Sequence, residues 1–156
     1  MNILIVDDQH SFRVMVRNEL RQLGLSRISE VDDAAAALRT LQHQKFDLVL
    51  IDMGPQGRDG LGLLRDMRRN PSTAHIPVVI MAGETAGDAV AEAKQLHGVG
   101  VIARPFTMGG FAKYFSAIIA RHAARKAAPV RTPSPAPQRA PTLAAAASSI
   151  DAFEID

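Results

Sequence analysis

Three aspartates end two apolar runs in this chain. Asp7 and Asp8 follow the run at residues 2–6, and Asp52 follows the run at residues 46–51. In an open parallel sheet, ligands bind in the crevice beyond the carboxyl ends of the strands, so these carboxylates are expected to meet there. A dense cluster of carboxylate oxygens suits a hard cation. The spacing therefore predicts a cation pocket, although it does not by itself name a reaction.

An ordinary structural role for each acid is the alternative interpretation. An aspartate at the end of a strand commonly caps the next helix or lies in a solvated turn. Asp59 and Gly60 follow Asp52 closely, and this pair is predicted to form a turn near the pocket. Because three acids end two strands, we favour a shared site over three separate caps.

The elements that must position these acids alternate between strand and helix. Five short runs have the apolar pattern of strands, at residues 2–6, 27–31, 46–51, 78–82 and 99–103. Apolar residues recur at helical spacing between them, and Asp32 or Asp33 is expected to cap the second helix. Successive βα units with right-handed crossovers predict an α/β fold, in which a parallel sheet carries helices on both faces.

Composition narrows the classes of function. The chain has 156 residues, 47% of them hydrophobic, which is enough for one compact domain with a tail. A net charge of +2 gives no indication of DNA binding. There is no cysteine, which excludes disulfides and thiolate metal sites. No secretion signal or membrane-spanning run is recognised, so we expect a cytoplasmic protein without membrane contacts.

Residues 1–123 resemble the receiver domain of two-component response regulators, of the CheY-like kind. The resemblance depends on fragments spread across the whole domain: Asp7–Asp8, Asp52, Asp59–Gly60, Ile76-Pro77-Val78 and Arg104-Pro105-Phe106. It implies a flavodoxin-like, doubly wound, five-stranded parallel sheet with the strand order 2-1-3-4-5.

The resemblance also implies a chemistry for the acids. Asp52 would accept a phosphoryl group and form an acyl phosphate. Such transfer depends mainly on alignment and charge neutralisation, and a bound Mg²⁺ supplies both. By resemblance, Asp8 and Asp52 bind the metal directly, Asp7 binds it through water, and the backbone carbonyl of Gly54 adds an oxygen. The protein would then be a phosphoacceptor and not an enzyme acting on a separate substrate.

Several positions depart from the family pattern. Ala82 stands where members usually carry Ser or Thr, and so offers no hydroxyl to a phosphoryl group. Arg104 replaces the usual Lys, which keeps the charge but changes its shape. Val101 replaces an aromatic residue, and Pro55 comes one position early in the loop after Asp52. These changes predict that the usual conformational relay is weak, absent or rebuilt.

The implied partners follow from the same resemblance. A histidine kinase or a histidine phosphotransfer protein would donate the phosphoryl group to Asp52, and an unidentified output protein would be bound in response. A single-domain response regulator is the preferred interpretation. The alternatives are a receiver-like adaptor that binds independently of phosphate, and a phosphate sink with little output.

The C-terminal residues differ in composition from the domain. Residues 124–142 are rich in Pro and Ala, which predicts an extended linker and a disordered tail. Residues 143–156 place Ile150 and Phe153 among acids, a pattern that suggests a short peptide docking into an apolar groove with a basic rim. A frayed terminus is the alternative. No output domain is recognised, so output is expected to be binding.

Overall fold

A computed structural model describes residues 1–54 and 57–127, without the side chain of Arg58. Its five strands are β1 (Asn2–Val6), β2 (Arg27–Val31), β3 (Leu48–Asp52), β4 (Val78–Ala82) and β5 (Val99–Ala103). All neighbouring strands are parallel, and the order is β2-β1-β3-β4-β5. The predicted doubly wound sheet is therefore confirmed.

Helices cover both faces of the sheet. They are α1 (His10–Gln22), α2 (Ala34–His43), α3 (Arg58–Arg69), α4 (Gly87–Lys94) and α5 (Met108–Ala127), with a 3₁₀ turn at Glu84–Ala86. Alternate residues of β1 face opposite layers: Ile3 and Ile5 pack with Phe115 of α5, whereas Leu4 packs with Leu64 of α3. The central strands are buried on both faces. The acids at their carboxyl ends are therefore accessible only at that end of the sheet.

The third strand begins and ends later than the apolar run predicted. It covers Leu48–Asp52 and not residues 46–51, so Asp52 is its last residue. Asp47 instead pairs with the start of β1, where its backbone N–H donates to the carbonyl of Asn2 at 2.8 Å. Its carboxylate accepts from the backbone N–H of Asn2 at 2.7 Å. These two bonds hold Asp47 ahead of the regular strand pairing.

The prediction of a turn at Asp59–Gly60 is wrong, because both residues lie in the first turn of α3. The left-handed backbone conformation lies earlier, at Gly57, which precedes the helix with a φ of 73°. A Cβ atom on Gly60 would lie 2.8 Å from the Cα atom of Met53. A glycine is therefore needed at position 60 because α3 lies very close to the end of β3, and not because the backbone forms a turn.

Asp33 caps α2, which decides between the two predicted caps. Its carboxylate accepts from the backbone N–H of Ala36 at 2.6 Å. Asp33→Ala is expected to lower the free energy of unfolding by about 1 kcal/mol, because one N–H at the helix start loses its partner. Urea denaturation measures this loss. Asp32→Ala is the matched control, and an equal loss in both variants would contradict the capping role.

The last helix extends past the predicted end of the domain. Met1–His122 forms one compact unit. Helix α5 continues to Ala127 and so contains residues 124–127, the first part of the predicted linker. The rest of that linker and the predicted docking segment 143–156 lie outside the described residues. Within the described ranges, none of the helices has the length and apolarity needed to cross a membrane.

Candidate functional site

Asp7, Asp8 and Asp52 lie together at the carboxyl end of the sheet. Strands β1 and β3 are neighbours in which Val6 pairs with Ile51, so the residues that follow each of these positions are adjacent. One carboxylate oxygen from each aspartate lies within 4.8 Å of the others. The structure thus brings together the three side chains that the sequence singled out as ligands for a cation.

The three carboxylates differ in exposure. Asp8 is exposed, Asp52 is largely buried, and Asp7 is only 2% exposed. The carboxylate of Asp7 accepts a hydrogen bond from the backbone N–H of Gln9 at 2.8 Å. The side chain of Arg13 donates to the backbone carbonyl of Asp7 at 2.5 Å. Asp7 is therefore held at both its backbone and its side chain, while Asp8 is open to solvent.

Arg104, which follows β5, bridges two of the acids. Its Nη2 atom lies 3.2 Å from Oδ2 of Asp7 and 3.2 Å from Oδ1 of Asp52. The backbone N–H of Arg104 donates to the carbonyl of Ala82 at 2.8 Å, which ties the end of β5 to the end of β4. A guanidinium can bond several oxygens at once, and it can therefore neutralise part of the charge of both carboxylates.

This neutralisation is incomplete. Burial raises the pKa of Asp7 above its ordinary value, although the hydrogen bond from Gln9 and the charge of Arg104 oppose the rise. Burial also raises the pKa of Asp52, opposed by Arg104 and by a hydrogen bond from the backbone of Gly54. A raised pKa means that the fold disfavours the ionised carboxyl. A divalent cation would favour the ionised form of both acids, so the donor set fits such an ion.

Gly54 lies beside the acids in a left-handed conformation, with a φ of 73°. Its carbonyl accepts a hydrogen bond from the backbone N–H of Gly57 at 3.2 Å. A carbonyl oxygen has two lone pairs, so this bond leaves one for a further partner. The early proline, Pro55, lies outside the described residues.

The cleft that holds these acids is lined by further carboxylates. It extends between the start of α2 and the face of α3, where Asp32, Asp33, Asp59 and Asp66 also line it. Clustered charges of one sign raise the local concentration of ions of the opposite sign. The sequence predicts a cap at Asp32 or Asp33 and a turn at Asp59, and it does not predict that these carboxylates line one cleft.

Two of the positions that depart from the family pattern, Ala82 and Val101, pack against one apolar cluster. Ala82 is 6% exposed, and Val101 is half-buried against the same apolar cluster. Tyr114 of α5 covers the neighbouring part of β5, because a Cβ atom on Gly100 would overlap its hydroxyl oxygen. Burial raises the pKa of the Tyr114 hydroxyl, and a hydrogen bond with the backbone of Val101 opposes the rise. An aromatic side chain therefore contacts this strand from α5.

Phe12 lies in α1, and its helical spacing with other apolar residues in the sequence predicts only a core position. The Cζ atom of Arg104 lies 3.9 Å from the centroid of its ring, within the range of a cation–π contact. An aromatic residue at helical spacing looks the same in the sequence whether its ring fills a core or supports a cation. The contact could be found only from the structure.

Fold and site together define a doubly wound α/β protein with an acidic pocket at the ends of adjacent strands. Residues 3–115 match the response regulator receiver domain. The chain belongs to this family, and its receiver domain is of the CheY-like type. Receiver domains act in two-component signalling, bind Mg²⁺ at an acidic pocket, and interact with histidine kinases and downstream effectors.

Individual relatives agree with this assignment. Chemotaxis protein CheY-3 of Vibrio cholerae is 38% identical over 107 residues, which cover 69% of this chain and 82% of that protein. The receiver domain of a histidine kinase from Syntrophus aciditrophicus has a TM-score of 0.67 at 22% identity, covering 77% of this chain and 90% of that one. The receiver domain of sensor histidine kinase PA1611 from Pseudomonas aeruginosa, solved with a coordinated magnesium ion, has a TM-score of 0.60 at 23% identity, with coverages of 80% and 94%.

Proposed function

We propose that this protein is a single-domain response regulator that accepts a phosphoryl group on Asp52 and acts by binding another protein. The convergence of Asp7, Asp8 and Asp52 with the cation of Arg104 supports this proposal more than any other observation. A nucleophilic carboxylate, cation ligands and a fixed positive charge are the parts that phosphoryl transfer requires.

The metal proposed for this site is Mg²⁺. Asp8 and Asp52 would bind it directly, Asp7 through a water molecule, and the carbonyl of Gly54 would complete the protein ligands. The incomplete neutralisation of Asp7 and Asp52 supports a divalent ion here. The magnesium ion in the related receiver domain from Pseudomonas aeruginosa is consistent with that choice. When bound, the ion would neutralise charge as phosphate approaches.

The proposed reaction uses the residues in distinct ways. A carboxylate oxygen of Asp52 attacks the phosphorus of a phosphohistidine, on a histidine kinase or a histidine phosphotransfer protein. The new O–P bond forms as the P–N bond breaks, and the imidazole leaves. Arg104 lies within reach of Asp52, so it would bind oxygens of the transferred group and stabilise their charge.

The output of the protein is proposed to be contact through α4, β5 and α5, with residues 143–156 as a candidate docking peptide. A second candidate function is a phosphate sink. Ala82 and Val101 favour it, because neither side chain can form a hydrogen bond with a phosphoryl group or respond to one. The connection from Arg104 to β4 through the carbonyl of Ala82 favours a working response.

An amide NMR spectrum tests these functions directly. The protein is titrated with beryllofluoride, a mimic of the phosphoryl group, in the presence of Mg²⁺. We expect shifts around Asp52 that extend to Val101 and α5, because Arg104 directly follows β5 and contacts a row of aromatic rings that reaches α5. Asp52→Asn is the control and should abolish the response.

The extent of the shifts separates the candidates. Changes confined to residues near Asp7, Asp8 and Asp52 would favour the phosphate sink over a protein that switches conformation. A spectrum that does not respond, or one that responds equally in Asp52→Asn, would contradict phosphorylation at Asp52 and favour the phosphate-independent adaptor.

A further inference from the structure

The guanidinium of Arg104 is supported from one side by an aromatic ring. Its Cζ atom lies 3.9 Å from the centroid of Phe12, and the side chain is 26% exposed. Its Nε atom is buried and has no hydrogen-bond partner among the described residues. The Nη2 atom of the group therefore bonds Asp7 and Asp52, while its Cζ atom lies over the ring of Phe12.

Other aromatic rings fix Phe12 in place. Phe106 meets it edge to face, with centroids 6.0 Å apart, and Phe106 stacks on Phe111 at 5.5 Å. Phe111 is 1% exposed and lies 4.4 Å from the ring of Phe115, centroid to centroid. Because this row ends in the buried core between the sheet and α5, Phe12 presents a stable surface to the cation.

We propose that Phe12 is a positioning residue that holds the guanidinium of Arg104 over the acidic site. Arginine has a long side chain with several rotatable bonds, and ordering it costs conformational entropy. A ring under the planar group restricts these alternatives and attracts the positive charge. Phe12 acts through Arg104 and not by contact with the reacting atoms. The inference rests on the proposed function, because it assigns Arg104 a task at Asp52.

A simple packing role for Phe12 is the competing explanation. It would make the ring exchangeable for an aliphatic side chain of similar size, with effects independent of Arg104. A positioning role instead requires an aromatic ring and disappears when the guanidinium is absent. The two explanations therefore differ in a double-mutant cycle, which measures the coupling between two residues.

The cycle uses phosphorylation of the full chain by acetyl phosphate with Mg²⁺. Phe12→Leu is expected to lower the rate roughly threefold to tenfold, in line with a partly buried cation–π contact. Phe12→Tyr should retain a rate close to that of the wild type. In an Arg104→Gln background, Phe12→Leu should cause no further loss. An equal loss in both backgrounds, or none in the wild-type background, would overturn the proposal.

A second measurement requires no phosphorylation. The Cζ atom of Arg104 lies 3.9 Å from the centroid of the Phe12 ring, so the Nε–H proton on the adjacent nitrogen is expected to be shielded by the ring current. Phe12→Leu should shift this NMR resonance downfield, whereas Phe12→Tyr should not. If the resonance is the same in the wild type and Phe12→Leu, the proposal is wrong. If the shielding is present but Asp52 is not phosphorylated, the proposed function fails and the positioning contact stands.

Discussion

Gly60→Ala is expected to destabilise the domain by about 2 kcal/mol, because overpacking against fixed atoms typically costs 1–3 kcal/mol. The new methyl group would lie 2.8 Å from the Cα atom of Met53 and 3.1 Å from the carbonyl oxygen of Asp52. Both neighbours are backbone atoms at the end of β3, so a change of rotamer cannot relieve the contact. Helix α3 must move away from the strand, or the strand must distort.

Gly62→Ala is the matched control in the same helix. A Cβ atom at Gly62 would meet no heavy atom within 4 Å. Alanine favours the helix more than glycine does, so this variant should gain about 0.5–1 kcal/mol. The two substitutions add the same methyl group two residues apart, and opposite effects can arise only from the surroundings.

Urea denaturation of both variants at constant pH measures the difference, which should be roughly 2–3 kcal/mol between them. The displacement of the backbone should also affect the proposed magnesium site, because the carbonyl of Asp52 is one of the atoms that must move. Magnesium titration of Gly60→Ala should therefore show weaker binding than titration of Gly62→Ala. Similar stabilities in the two variants would contradict the close approach as the reason for a glycine at position 60.

Gly60 also shows where sequence reasoning reached its limit. A glycine after an aspartate predicts a turn, because glycine tolerates backbone conformations that other residues avoid. Here the backbone is helical, and the lack of a side chain matters because of Met53, the residue that directly follows β3. Such a contact depends on how α3 packs against β3, and no local pattern contains that information.

The parallel βα architecture is predictable from the sequence pattern for the opposite reason, and the strand order 2-1-3-4-5 follows from the family resemblance. Apolar periodicity gives the βα alternation, and right-handed crossovers then leave few topologies. Once β1 and β3 are neighbours, the residues at their ends must meet. The contact between Arg104 and Phe12 depends instead on the side-chain positions of two separate segments, α1 and the loop after β5, and the spacing of Phe12 in the sequence is typical of any amphipathic helix.

Asp7→Asn is expected to stabilise the metal-free protein at pH 7. Burial raises the pKa of Asp7 above its ordinary value of 3.8. The native protein then binds this proton more tightly than the unfolded chain does, so stability falls as the pH rises from 3.8 through the native pKa. The full cost of ionisation is present once the pH exceeds the native pKa. Asparagine removes it, and its advantage over aspartate should shrink as the pH is lowered towards 4.

Magnesium should reverse the order of stability of the wild type and Asp7→Asn. A ligand that binds only the folded state stabilises it by about 2.7 kcal/mol at a hundredfold excess over Kd. The wild type, with all three carboxylates, should gain this amount, whereas Asp7→Asn should gain less at the same concentration. The wild type is thus expected to be the less stable protein in EDTA and the more stable one in saturating Mg²⁺.

Asp8→Asn separates the charge effect from the metal effect. Asp8 is exposed, so its substitution should change the stability of the metal-free protein by no more than about 0.5 kcal/mol. It should still weaken stabilisation by Mg²⁺. Thermal denaturation with EDTA and with Mg²⁺, at several pH values, tests all three proteins. Lower stability of Asp7→Asn in EDTA would mean that its ion pair with Arg104 outweighs the cost of burial. Equal stabilisation of Asp7→Asn and the wild type by Mg²⁺ would remove Asp7 from the metal site.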